Sequence, residues 1–136
     1  MANYSACART NYFRVNDEEK YKELIKNLVS NSEIEFLEKE INGEKHFGFA
    51  SYGWFDYEDT QIEEFNFDIF LDEMQKLLPD DEVFVYMESG HEKIRYVTGV
   101  AIICTNKEIR TLSMQNWILE QARNLTGRDI IDNLNY

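Results

Sequence analysis

The chain has 136 residues and a formal net charge of −12, with 26 Asp and Glu against 14 Lys and Arg. One domain is the expectation for that length, and 14% aromatic content excludes a disordered chain of similar charge. No apolar run approaches the ~20 residues of a bilayer span, and two cysteines, Cys7 and Cys104, are too few for a disulfide scaffold.

Tyr4 to Val15 is rich in aromatic, β-branched and small residues without helical spacing, which predicts a strand. Asn16 and Glu19 have the spacing of a capping box. Tyr21, Leu24, Ile25 and Leu28 then recur at i, i+3, i+4 and i+7, which predicts a first helix. From Glu33 the apolar positions alternate at Ile34 and Phe36 and change face at Leu37 and Ile41, the pattern of a bulged strand. Asn42-Gly43 is a two-residue hairpin signal, and Phe47 and Phe49 give the return strand its apolar face.

Gly53 to Phe65 follows neither period and reads as a long loop carrying exposed aromatics and acids. Asn66 caps a second helix with the stripe Phe67, Phe70, Leu71, Met74, Leu77 and Leu78, stopped by Pro79. Val83 to Glu88 reads as a strand, Ser89 to Glu92 as a turn, and Lys93 to Cys104 as the return strand. Thr105 to Lys107 turns the chain into a short strand from Glu108. Ser113 then caps a third helix with Met114, Trp117, Ile118, Ala122 and Leu125 inward and Gly127 as its stop. The tail from Arg128 has two readings, docking through Ile130, Ile131 and Leu134 or fraying. The order β-α-β-β-α-β-β-β-α predicts an α+β domain: a mainly antiparallel sheet of about six strands, with three helices on one face.

The charge is unevenly distributed. Between Glu33 and Glu82 stand sixteen acidic residues and three basic ones, so this third alone carries −13 while the rest sums to +1. Such a stretch repels itself and favours a positively charged partner. It disfavours direct contact with nucleic-acid phosphates. The outer thirds, with Arg9, Lys93, Arg95 and Arg110 among their cations, retain enough positive charge for a small basic patch. The candidate partner-binding residues are Glu33, Glu35, Trp54, Phe55, Asp56, Tyr57, Glu58, Asp59, Glu63, Glu64, Asp68, Asp72, Glu73, Asp80 and Asp81, with Trp54, Phe55 and Tyr57 as aromatic anchors.

Reactive chemistry finds little support. Cys7, His46, His91 and Cys104 lack the paired spacing of a zinc site. The two histidines offer Ser51, Ser89, Cys7 or Cys104 a base only if the fold brings them together. A non-enzymatic protein without metal or cofactor is therefore the expectation, with a small-ligand or enzymatic pocket near His91 as the alternative. The N-terminal MANYSACART has no basic and apolar export pattern, so the expected setting is the reduced cytoplasm.

ARTNYFRVNDEEKY at 8–21 and GHEKIRYVTGVAI at 90–102 resemble segments of small acidic accessory proteins carried by phages, plasmids and integrative elements. The resemblance implies a setting in which such proteins inhibit host defence, as anti-restriction and anti-CRISPR proteins do, some by imitating DNA. The implied partner is a basic, nucleic-acid-binding defence protein. An immunity-type antitoxin against a basic nuclease is the alternative in the same setting, and neither case requires a membrane or direct nucleic-acid contact.

Overall fold

In the computed structural model, which describes residues 4–129, a six-stranded antiparallel sheet is covered on one face by two helices and a small three-stranded sheet. The elements are β1 Ser5–Thr10, α1 Glu18–Ile25, β2 Leu28–Ser30, β3 Ile34–Ile41, β4 Glu44–Ser51, β5 Phe55–Asp59, β6 Glu64–Phe65, α2 Phe67–Leu77, β7 Phe84–Glu92, β8 Tyr96–Cys104, β9 Ile109–Ser113 and α3 Met114–Thr126. The large sheet runs β3-β4-β1-β7-β8-β9 and the small one β2-β5-β6. The α+β class and the predicted order hold, with the short strands β2, β5 and β6 added. Among the described residues no helix is long and apolar enough to cross a membrane.

Alternation along the strands divides the large sheet into a core face and an open face. Phe49 of β4, Phe84 and Tyr86 of β7, and Ile102 and Cys104 of β8 point to the core, where α2 supplies Phe70, Leu71 and Met74 and α1 supplies Tyr21 and Leu24. The centre is aromatic. Phe13 meets Tyr21 and Phe84 edge-on at 5.6 and 5.1 Å, and Phe49 meets Phe70 at 5.8 Å. Such pairs add ~0.5–1.5 kcal/mol each beyond area burial. Thr10, fully buried beside them, accepts from the Phe49 N–H at 3.0 Å and donates to the Asn11 carbonyl at 2.8 Å, so its hydroxyl is satisfied.

Local signals explain the helix ends. Asn66 caps α2 by accepting from the Asp68 N–H, and Gly127 closes α3 in the left-handed region at φ 73°. At α1 the predicted cap is displaced by one residue. Asn16 is tied to the end of α2, its N–H on the Leu77 carbonyl and its side chain on that of Lys76, so Asp17 caps instead by accepting from Lys20 N–H at 3.1 Å. Leu28 also leaves the helix, because it pairs with Tyr57 in the small sheet.

Three further expectations are corrected. β3 pairs with β4 one-to-one from Ile34↔Ser51 to Ile41↔Glu44, so there is no bulge; the apolar residues change face because this edge strand contributes to both faces. The segment read as a loop from Gly53 contains β5 and β6. The turn expected at Ser89 to Glu92 lies inside β7, and the chain reverses at Lys93 to Arg95 with Lys93 at φ 50°. The helices also do not all cover the core: α3 has no buried residue. The tail positions Ile130, Ile131 and Leu134 lie outside the described residues.

Candidate functional site

The fifteen candidate residues fall into three places. Glu33 and Glu35 line a groove of about 590 Å³ on the open face, with Cys7, Arg9, Tyr52 and Met87. The residues from Trp54 to Glu73 belong to the opposite layer, built by β5 with the residue before it, β6 and α2. Asp80 and Asp81 occupy a corner after α2, where Asp80 accepts from Asn106 at 2.6 Å and Asp81 pairs with Arg14 at 2.8 Å. A single strip of charge therefore does not exist. Strand alternation and sheet layering separate the carboxylates, and Lys45, Lys76 and Arg14 neutralise several of them: Lys45 holds Glu18 and Glu38, Lys76 holds Glu73, and Arg14 holds Glu44, Asp81 and Glu82.

Two of the three proposed aromatic anchors are core residues. Phe55 packs on Phe49 at 4.9 Å and on Tyr86 at 6.1 Å, and Tyr57 packs on Phe70 at 5.8 Å; both are buried. Trp54 is half-buried, and its backbone N–H donates to the Asn31 side-chain oxygen at 2.9 Å. Phe65 and Ile62 are the exposed apolar residues of this layer, in a hairpin of β5 and β6 where the sequence pattern predicts a loop.

The β5–β6 hairpin concentrates what remains. Glu58 stands opposite Phe65, and Asp59 opposite Glu64. Directly opposed side chains have Cβ atoms about 4.5–5.5 Å apart, and like charges there destabilise. Glu63 in the turn adopts φ 53°, in the left-handed region that non-glycine residues rarely occupy. Asp59 spends one carboxylate oxygen on the Gln61 N–H at 2.9 Å, and Asp56 caps the Tyr57 N–H at 2.8 Å. Asp68 and Asp72 continue the acidic surface along the first two turns of α2, both exposed. Among the described residues Glu58, Asp59, Glu63, Glu64, Asp68 and Asp72 take part in no ion pair. Beside the hairpin an open cleft of about 1150 Å³ separates it from α1 and α2, lined by acids and lysines together, Glu23 and Asp59 with Lys20 and Lys76 among them.

Among the described residues none of the nucleophile candidates hydrogen-bonds a histidine, although register places Cys7, Ser89 and His91 on one face. Cys104 is buried, and burial followed by the Asp72 charge pushes its thiol up to about 11, which disfavours the thiolate. Exposed Cys7 lies 3.7 Å from the Ser89 hydroxyl, Ser51 contacts the Ser30 hydroxyl and the Glu33 carbonyl, and the His46 ring contacts the Glu44 carbonyl. His91 is exposed on the open face between Ser5 and Val97 and lines neither of the two larger clefts. Among the described residues no cluster of His, Cys, Asp and Glu has the geometry to hold a metal ion.

Comparison with family models, with curated proteins and with solved structures gave no match.

Proposed function

We propose that this is a non-enzymatic binding protein whose β5–β6 hairpin and adjoining turns of α2 dock on a basic protein. The carrying observation is the Asp59 and Glu64 pair, opposed across two short strands, with Glu63 and exposed Ile62 in the turn that joins them; alternation sets the next pair, Glu58 and exposed Phe65, on the other side of the hairpin. A lysine or arginine from a partner placed between these carboxylates removes their repulsion. The two apolar side chains supply the contact area that charge alone lacks.

The fitting partner is a nucleic-acid-binding protein with a cationic groove, and the resemblance to mobile-element accessory proteins makes a defence protein of the host the preferred one, met in the cytoplasm. The proposal is narrower than imitation of a length of duplex. Glu33 and Glu35 face another way, and the corner at Arg14 is already neutralised.

Capture of a host lysate on immobilised protein tests it, wild type beside the triple variant Glu58→Lys, Glu63→Lys, Glu64→Lys. The wild type is expected to retain a basic nucleic-acid-binding protein, and the variant about tenfold less or lower still. Retention by the wild type should also fall steeply between about 0.05 and 0.15 M salt, as exposed charges are screened. Equal retention by the folded variant, or retention indifferent to salt, would overturn the reading.

A further inference from the structure

We infer that the open face of the six-stranded sheet, extended by α3, is the contact surface for a second copy of this chain. The inference is independent of the acidic hairpin, which lies on the opposite layer.

Register assigns the face. Row by row across the sheet, Glu35, Ala50, Arg9, Met87, Ala101 and Leu112 stand opposite one another on successive strands and share a side. The neighbouring rows place Val97 and Ile103 on that same side. Nothing in the described chain covers them: Met87, Val97, Ile103 and Leu112 are between 46% and 58% exposed. Contiguous exposed apolar surface of this kind marks an interaction site.

Charge selects the occupant. On the half of the face formed by β1, β7, β8 and β9, alternation places no carboxylate at all, and its only formal charges are Arg9 and Arg110. Two molecules of −12 repel at most approaches, but here their surplus charge points away from the contact on both sides. The long stems of the two arginines can lie along the apolar surface with their guanidinium groups at its rim.

Area agrees once α3 is included. The four carboxylate-free strands, about 4.8 Å apart and about seven residues long, give about 470 Å² in projection, and α3 extends this towards the ~800 Å² that each partner contributes to a standard stable interface. The α3 stripe of Met114, Trp117, Ile118, Ala122 and Leu125 contains no buried residue, with Trp117 51% and Leu125 86% exposed. A helix of 13 residues is marginal in water without a packed face. The helix starts at the rim of the open face, where a Cβ on Gly99 would stand 3.3 Å from that of Met114. A two-fold pairing of these faces buries both the sheet and the helix stripe and closes on itself.

Sedimentation velocity of the full chain over about 1 to 100 μM tests this. A species of about twice 16.2 kDa is expected to grow with concentration. Met87→Glu and Leu112→Glu, each at a site half exposed in one copy, should keep the circular dichroism of the fold and weaken association by about thirtyfold or more. Ile62→Glu, on the other layer, should leave it unchanged. A wild type that stays monomeric at the highest concentration overturns the inference, whether the face is then bare or covered by the chain's own tail. So does association that survives both open-face substitutions, or that Ile62→Glu abolishes.

Discussion

At the scale of single residues, Arg14 is the side chain with the most to do. Its Nε meets Glu82 at 3.0 Å and its terminal nitrogens meet Asp81 at 2.8 Å and Glu44 at 3.2 Å, which joins β1's exit to the loop after α2 and to β4. Glu82 in addition accepts from the backbone N–H groups of Arg14 at 2.8 Å and Val83 at 3.0 Å. Burial pushes the Glu82 carboxyl up, but those two N–H groups and the guanidinium outweigh it and hold the group below its ordinary 4.5. Asp81 is held below 3.8 by Arg14, through the hydrogen bond first and the charge second. A carboxylate with a depressed pKa in the folded state contributes stability that is complete above its unfolded value and disappears as pH falls through the folded one. Arg14→Gln should therefore lower the urea midpoint at neutral pH. The difference from wild type should shrink as the solution is acidified from about pH 5 towards pH 2. A difference that persists undiminished in acid would place the role of Arg14 in packing and not in these pairs.

At the scale of elements, β5 decides how the chain is divided between surface and core. Its odd residues Phe55 and Tyr57 enter the aromatic cluster while Asp56 and Glu58 alternate outward, so a five-residue strand carries both core and candidate site. Phe55→Ala should cost about 3–5 kcal/mol of unfolding free energy, the usual range for a buried phenylalanine, and Ile62→Ala at the hairpin tip within about 0.5 kcal/mol. Denaturant titration of both variants measures this, and a loss under about 1 kcal/mol for Phe55→Ala would mean that the strand does not seat its ring. Where a signal is local, the sequence was legible. Asn42 and Gly43 both take positive φ, 54° and 80°, as a two-residue hairpin demands, and the α2 stripe and Gly127 behaved likewise. β5 was hidden because its partner β2 is three residues long and lies 27 positions away, as in Val29↔Asp56, so no neighbouring segment advertises the pairing. Gly90 misled for a different reason. It suggested a turn, yet it lies within β7, where a Cβ would collide with the Tyr4 ring that passes over it. The acidic candidates were identifiable by composition, but which of them share a side depends on layering that no single-segment pattern records.

At the scale of the whole molecule, the charge is bipolar across the sheet. The layer of β5, β6 and α2 carries unpaired carboxylates, while the half of the open face formed by β1, β7, β8 and β9 carries two arginines and none. That arrangement concentrates self-repulsion within one layer, and repulsion between exposed charges is what added salt screens best, the Debye length falling from about 30 Å at 0.01 M to about 10 Å at 0.1 M. Ion pairs weaken in the same range, but most of the pairs here join exposed side chains, for which ~0–1 kcal/mol is typical. With 26 acids against 14 bases, repulsion should dominate. The thermal midpoint should then rise by about 3 °C over that salt interval, the response of a domain this size to about 1 kcal/mol. Differential scanning calorimetry on Met87→Glu, in which self-association is weakened, measures it without a salt-driven change in association shifting the midpoint. The sign separates two roles for the same carboxylates: salt should stabilise the free protein while weakening its hold on a basic partner. A midpoint that falls with salt would mean that the Arg14, Lys45 and Lys76 pairs outweigh the crowding at the hairpin, and the hairpin would then lack the excess negative potential on which cationic docking depends.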